Sequence, residues 1–397
     1  MEKLKEKAGI LLSQQNVDFQ RYLLQEINWD NRLICILGGR GTGKTTTLLQ
    51  RIKLSKRGLD EAMYITLNDM YFTRNNLIET AEKFRQQGGK YLYIDEVHKY
   101  PNWAREIKNI YDFYKDLNLI VTGSSIIEML GLEVDLSRRA RVYELSGLSF
   151  REFMAYSQNI KYPKITLEEL VTKHVMIASD LNSTKPLKAF KDYCNYGYYP
   201  FFKEDKEGYS IQLTQVVNLI IGYDLSSLQS LDKLQTRKIF QLLGMLAAQV
   251  PFKPNVTNLA QTLEMGRSTL IQYLHYLEKA KLIQQVFLQG KGMGAMEKPS
   301  KILLDNPNLF DALSTTPANE GSRRESYFVN QFRNAQHQVS LVKAGDFIID
   351  NKYTFEVGGA KKKFDQIAGL ENAYIAADDI EIGGRNKIPL WLIGMLY

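Results

Sequence analysis

The stretch ILGGRGTGKTTTLLQ, residues 36–50, constrains the fold more than any other part of the chain. Gly38, four intervening residues and then Gly43-Lys44-Thr45 satisfy a pattern that demands a strand, a glycine-rich loop and a helix in that order. Glycines let the backbone curl so that successive N–H groups face one anion, with no Cβ in the way. The helix that follows turns its positive end to the same place. RLICIL (32–37) before the loop and KTTTLLQRIKLSK after it supply the strand and the helix. The reading is a phosphate cradle made of Gly38, Gly39, Arg40, Gly41, Thr42, Gly43, Lys44, Thr45 and Thr46. In it Lys44 bridges the β- and γ-phosphates of a nucleoside triphosphate, and the Thr45 hydroxyl ligates Mg2+.

Four more apolar or β-branched runs follow, AMYITL (62–67), YLYID (91–95), LNLIVTG (117–123) and RVYEL (141–145), with helical stretches such as NWAREIKNIYDFYKD between them. Short continuous apolar runs fit strands buried on both faces. Residues 1–150 are therefore expected to form an N-terminal helix and a doubly wound parallel α/β sheet of the P-loop type. YLYIDE sets Asp95 and Glu96 at the end of an apolar strand. There Asp95 would hold Mg2+ through its water shell, and Glu96 would be the base that orients and activates water. LIVTGSS ends the next strand in Thr122, Ser124 and Ser125. Ser124 is read as the side chain that senses the γ-phosphate or the lytic water, and Ser125 as a helix N-cap. DLSRRARVYEL then gathers three arginines. Arg138 or Arg139 is expected to stabilise charge on the γ-phosphate, in cis or from a neighbouring subunit, while Arg141 begins a strand.

ILGGRGTGKTT, YLYIDEVHKYPNW, LIVTGSS and DLSRRARVYELSGLSFREF together resemble a family of bacterial and archaeal AAA-type ATPases. That family carries a helical region, a winged helix and a C-terminal domain of unknown function related to restriction-type nucleases. The resemblance spans essentially the whole chain and implies ATP binding with Mg2+.

Beyond residue 150 the residues themselves change pattern. Residues 151–250 are mostly helical, with Leu, Ile and Tyr three and four apart, and YCNYGYYPFF (193–202) reads as an aromatic turn. Residues 251–304 have the cadence of a helix-turn-helix with a wing. Leu259, Leu263, Leu270, Leu274 and Leu277 would form its core. Arg267, Ser268, Gln272 and His275 would face outward toward DNA, with Lys291 and Lys298 in the wing loop. Few arginines lie on that face, so docking onto protein is the competing reading. Residues 305–397 combine a helix (320–335) with strands around VSLVKAGDFIID, KYTFEVG, NAYIAA and IPLWLI. AGDFIIDNKYTFEVGGAKKKFDQI resembles a restriction-type nuclease core, in which two acids and a lysine hold Mg2+ and activate water. Asp346 and Glu356 match the acids, with Glu325 as a third. Gly358 stands where the lysine belongs, and Lys361, Lys362 and Lys363 follow. A retained fold with lost or regulatory chemistry is the expectation.

Composition narrows the remaining classes. No stretch of about 18 apolar residues occurs, so no membrane-spanning helix is expected. Cys35 and Cys194 are the only cysteines, which fits a reducing cytoplasm. A net charge of +7 favours an anionic partner such as a nucleotide, nucleic acid or acidic protein surface. The sequence thus points to an ATP-driven switch acting on its C-terminal domains. A nucleotide-gated DNA- or protein-binding module with negligible turnover, or an ATP-regulated metal-dependent nuclease, are the alternatives.

Overall fold

The computed structural model describes residues 1–124, 136, 138–226, 230–249, 256–290, 298–313 and 319–397. They divide into two compact units, Met1–Gly147 and Leu148–Tyr397. Ser125 and Lys291 lie outside the described residues.

In the first unit β1 (Leu33–Gly38), β2 (Ala62–Thr66), β3 (Tyr91–Asp95), β4 (Asn118–Ser124) and β5 (Arg141–Glu144) make one sheet. Its order is β2-β3-β4-β1-β5, and every pairing is parallel. Helices α1 (Glu2–Gln14), α2 (Lys44–Ser55), α3 (Leu77–Gln86) and α4 (Trp103–Phe113) cover it. Side chains alternate across a strand, so each strand feeds two cores. Leu33, Cys35 and Leu37 join Phe84 of α3 and Ile107 of α4. Ile34 and Ile36 join Ala8 of α1 and Leu48 and Ile52 of α2. This two-sided burial is why the strands read as unbroken apolar runs. β5 departs from that expectation, because among the described residues it pairs only with β1 and leaves Arg141 and Val142 exposed at the sheet edge.

The second unit begins with α5 (Phe150–Gln158) and α6 (Leu167–Leu181), each opened by a capping box, Ser149 with Glu152 and Thr166 with Glu169. α7 (Pro186–Asp192), α8 (Tyr209–Leu219), α9 (Lys233–Gln249), α10 (Val256–Thr262) and α11 (Arg267–Lys279) follow. β6 (Ile283–Val286) and β7 (Lys301–Leu304) pair antiparallel. After α12 (Glu320–Asn334) come β8 (Val339–Leu341), β9 (Phe347–Ile349), β10 (Tyr353–Gly358), β11 (Ala373–Ala377) and β12 (Lys387–Pro389). Their sheet has the order β12-β11-β10-β9-β8, with β10, β11 and β12 parallel and β8 and β9 antiparallel to their neighbours. Phe328 of α12 packs its ring 5.3 Å from both Phe347 and Phe355, fixing the helix on the sheet.

Two local expectations need correction. YCNYGYYPFF does not simply interrupt the helices: Tyr193–Gly197 prolongs α7 as a π-helical turn, and the break comes at Tyr199, before Pro200. IPLWLI is not one strand. The ladder stops at Pro389, and Leu390–Met395 form a 3-10 helix. An apolar run without alternation suits a buried helix as well as a strand, and a proline cannot donate onward to the ladder.

Candidate functional site

In a parallel sheet the strand ends share one edge, where loops can converge on a ligand. β1 ends at Gly38, β3 at Asp95 and β4 at Ser124, and Gly38 lies opposite Ser124 in the pairing of β1 with β4. A Cβ on Gly38 would run into the Leu145 carbonyl oxygen, so the strand tolerates only glycine there without a backbone shift. Gly41 and Gly43 adopt φ of +84° and +95°, the left-handed region that turns the loop back on itself. Lys44 Nζ donates to the carbonyls of Gly38 and Gly39 at 2.8 Å each, and Thr42 Oγ1 donates to Gly39 O at 2.9 Å. Lys44 is thus folded over the loop, its ammonium beside the N–H groups that would face phosphate. Arg40 is half-buried, and Thr46 is exposed in the first turn of α2.

The Asp95 carboxylate is buried and held by three hydroxyls. Thr45 Oγ1 donates to Oδ2 at 2.7 Å, Tyr64 OH donates to Oδ2 at 2.9 Å, and Thr122 Oγ1 donates to Oδ1. Thr122 also accepts from the Glu96 backbone N–H at 3.1 Å, which aims the Glu96 peptide. Glu96 itself has φ +53°, an unusual value for a side chain of its size. Burial, reinforced by the charge of Asp95, raises the Glu96 pKa, while Lys99, Arg40 and Lys44 pull it down. Burial and the hydrogen bond to Asp95 keep the Tyr64 phenol protonated, so it remains a donor.

The fold brings Gly38 through Thr46, Asp95, Glu96 and Ser124 to one edge. It does not bring Arg138 and Arg139 there. Arg141 pairs with Ile34 near the start of β1, which places the two preceding arginines at the edge where strands begin. From Ile34 to Gly38 the strand climbs about 13 Å. Arg139 forms a bidentate pair with Asp112 at the end of α4, at 2.9 and 3.0 Å, while Arg138 is exposed. Sequence reasoning missed Tyr64 and Arg21. The buried Arg21 guanidinium donates to Thr42 O at 2.5 Å, to Ser146 O at 2.7 Å and to Gly147 O at 2.9 Å. A lone arginine in FQRYLLQ was the only signal for it.

The second unit contains the other candidate residues. Leu259, Leu263, Leu270, Leu274 and Leu277 are buried, Arg267, Ser268 and Gln272 are exposed, and His275 is half-buried. Gln272 Nε2 donates to Tyr276 OH at 2.5 Å. Lys298 is exposed. Asp346, Glu356 and Glu325 each already have a partner. Asp346 Oδ2 accepts from Val357 N at 2.8 Å, and Glu325 pairs with Lys301 at 2.6 Å. Glu356, fully buried, pairs with Lys362 at 2.5 Å and takes the Gln366 amide when that nitrogen faces it. A Cβ on Gly358 would meet Lys362 Cγ and Cδ at 2.9 Å, so Lys362 fills the space a side chain at 358 would use. Burial raises the Glu325 pKa, and the bond to Glu356 raises that of Lys362. Among the described residues no three His, Cys, Asp or Glu side chains come together as a metal-holding group.

A glycine loop at a strand-to-helix turn, with paired acids on the next strand but one, defines a P-loop nucleotide-binding domain. Residues 30–154 match the AAA domain family, so the chain carries an AAA-type P-loop ATPase domain. Residues 187–320 match a domain of unknown function. An uncharacterised protein of Methanocaldococcus jannaschii is 27% identical over 326 residues, 75% of this chain and 67% of that protein. The chain is also similar to C. elegans PCH-2, with 16% identity, a TM-score of 0.24, and coverage of 40% of this chain and 45% of that one. It therefore spans less than half of PCH-2. AMPPCP-bound DnaA from Aquifex aeolicus shares 18% identity at a TM-score of 0.27, covering 70% of this chain and 89% of that one. No helix among the described residues is long and apolar enough to cross a membrane.

Proposed function

We propose that the chain is an ATPase that works as a nucleotide-driven switch on its C-terminal regions. The observation that carries this reading is the meeting of Thr45, Asp95, Thr122 and Glu96 beside the glycine loop. Loop N–H groups and Lys44 bind and orient the phosphates. Thr45 Oγ1 and Asp95 Oδ2 are hard oxygen donors 2.7 Å apart, which fits Mg2+. Held by Thr45 and Asp95, Mg2+ would supply positive charge that offsets the charge developing on the phosphates. Glu96 takes a proton from the attacking water, and Ser124 positions the γ-phosphate or that water. With its pKa raised, Glu96 is a stronger base than an exposed carboxylate.

The switch reading is supported by Arg21. One guanidinium holds the loop carbonyl of Thr42 and the carbonyls of Ser146 and Gly147, the last residues of the first unit. A shift of the loop on phosphate binding is therefore carried to that junction. Arg138, exposed at the far edge, is suited to reach a neighbouring copy's nucleotide and not its own. The test is phosphate release by Glu96→Gln beside ATP binding by Lys44→Ala. Glu96→Gln should bind ATP and lose about 100-fold or more in turnover. Lys44→Ala should lose binding. Parent-like turnover by Glu96→Gln would remove Glu96 from the role of base.

In the second unit we divide the chain into a helical region (151–250), a winged-helix-like domain (251–304) and a nuclease-like domain (305–397). Exposed Arg267, Ser268 and Gln272, with half-buried His275, support DNA contact by α11. The prior pairing of Asp346, Glu356 and Glu325 supports a nuclease-like fold without turnover. Plasmid should stay intact with Mg2+ or Mn2+, and cleavage abolished by Asp346→Ala would refute that.

A further inference from the structure

We propose that a cavity in the second unit, between α7, α12 and the end of β11, binds a nucleotide-sized anion: a ring carrying one phosphate. The cavity measures about 580 Å3, within the usual size of small-molecule sites. It involves only the second unit and owes nothing to the P-loop, so the proposal stands or falls independently of the ATPase reading.

The floor is apolar. Phe190 and Tyr327 meet edge to face with ring centroids 4.8 Å apart, and Leu390 lies beside them. Such a floor suits the face or edge of a planar ring. The mouth is polar, and its cations differ in how far they are already committed. Arg324 is pinned to Asp378 at 2.7 Å and to Asp379 at 3.4 Å, so it shapes the wall. Arg323 lines the same cavity and bonds Asn195 Oδ1 and Asp311 at 2.8 Å each. Lys188 and Lys191, one turn apart on α7, are exposed and make no hydrogen bond or ion pair among the described residues. Two ammonium groups and the Arg323 side chain thus line a single cavity.

Glu320, Asp378 and Asp379 share that wall and discriminate between ligand types. A long polyanion lying along the cavity would meet them unfavourably. A purely apolar ligand would leave the lysine cations unmet. A nucleoside monophosphate satisfies both sets, with its phosphate toward the lysines and Arg323 and its hydroxyl or amino groups toward the carboxylates. Cys194 also lines the cavity, but burial raises its thiol pKa well above the usual value, so it contributes apolar surface and no nucleophile.

The same chemistry could arrive as a free mononucleotide or as the 5′-phosphorylated end of a single strand. The experiment is isothermal titration of the full chain carrying Lys44→Ala, so that the P-loop does not compete. Probes are AMP, GMP, CMP and UMP, the matching nucleosides, inorganic phosphate, and a 5′-phosphorylated trinucleotide. At least one monophosphate should bind one-to-one, and about tenfold tighter than its nucleoside or phosphate alone. The pair Lys188→Glu and Lys191→Glu should weaken it about tenfold or more, and Leu187→Trp, which fills the cavity without changing charge, should do the same. Tighter binding of the trinucleotide assigns the ligand to a strand end, and tighter binding of the monophosphate to a free nucleotide. The proposal is overturned if none of these phosphates binds below about 1 mM, or if binding survives both sets of variants unchanged.

Discussion

Removing one oxygen atom tests how the Asp95 carboxylate is held. Tyr64→Phe keeps the ring, which is 5% exposed and packs with Ala8, Leu48 and Ile52, and deletes only the hydroxyl that donates to Asp95 Oδ2 at 2.9 Å. A hydrogen bond to a buried charged group is worth about 1.5–3 kcal/mol. The lower end applies here, because the phenol leaves with its bond and Oδ2 keeps the Thr45 hydroxyl at 2.7 Å. The first unit should therefore lose about 1.5 kcal/mol, or about 3–6 °C in Tm. Trp29 and Trp103 report that unit by fluorescence in a Trp391→Phe background. The larger effect should appear with ligand. If Thr45 turns its hydroxyl to Mg2+, Tyr64 is the protein donor left to Oδ2, so affinity for ATP·Mg2+ should fall about tenfold and affinity for metal-free ATP much less. Unchanged stability, together with equal losses with and without Mg2+, would show that Tyr64 packs against the site without holding Asp95.

Three further outcomes follow from the same geometry. Because the Glu96 pKa is raised in the folded chain, its ionisation opposes folding, so its contribution falls as pH rises from 4.5 through the folded value. Turnover, which needs the ionised base, should rise over that same window, and a pH–rate profile of Glu96→Gln should lack this limb. Arg21→Ala strips a buried donor from three carbonyls and should cost about 3 kcal/mol or more by chemical denaturation, whereas Arg21→Lys should restore only part. Arg138→Ala should abolish only the part of ATPase turnover that grows with protein concentration, measured by phosphate release across a dilution series. A loss that persists at high dilution would mean the arginine acts within its own chain.

The loop was legible because its chemistry is local. Gly38, Gly43, Lys44 and Thr45 act through backbone conformation and a helix end that lie within one short stretch. Asp95 and Glu96 were legible because an apolar strand must end before charged residues can meet solvent or ligand. Tyr64 was not, since its partner Asp95 is 31 residues away and only the pairing of β2 with β3 unites them. Arg138 and Arg139 stand apart from their own chain's loop for the opposite reason. They stand close in sequence to Ser124, but β4 and β5 both run parallel to β1, so β5 begins at the other edge. Likewise, a lysine missing at Gly358 is visible in the sequence, whereas the return of Lys362 into that space depends on how the chain folds back after β10.

The Arg21 clamp also sets where this chain can be cut. The match to the AAA domain begins at residue 30, after the arginine that ties Thr42 to the end of the sheet, and after the Leu4 and Ala8 side chains that complete its cores. A fragment trimmed to those boundaries would keep every residue expected to touch ATP. It would nonetheless leave the glycine loop without its anchor and expose apolar surface that α1 covers, so a soluble nucleotide-binding fragment has to start at the first helix.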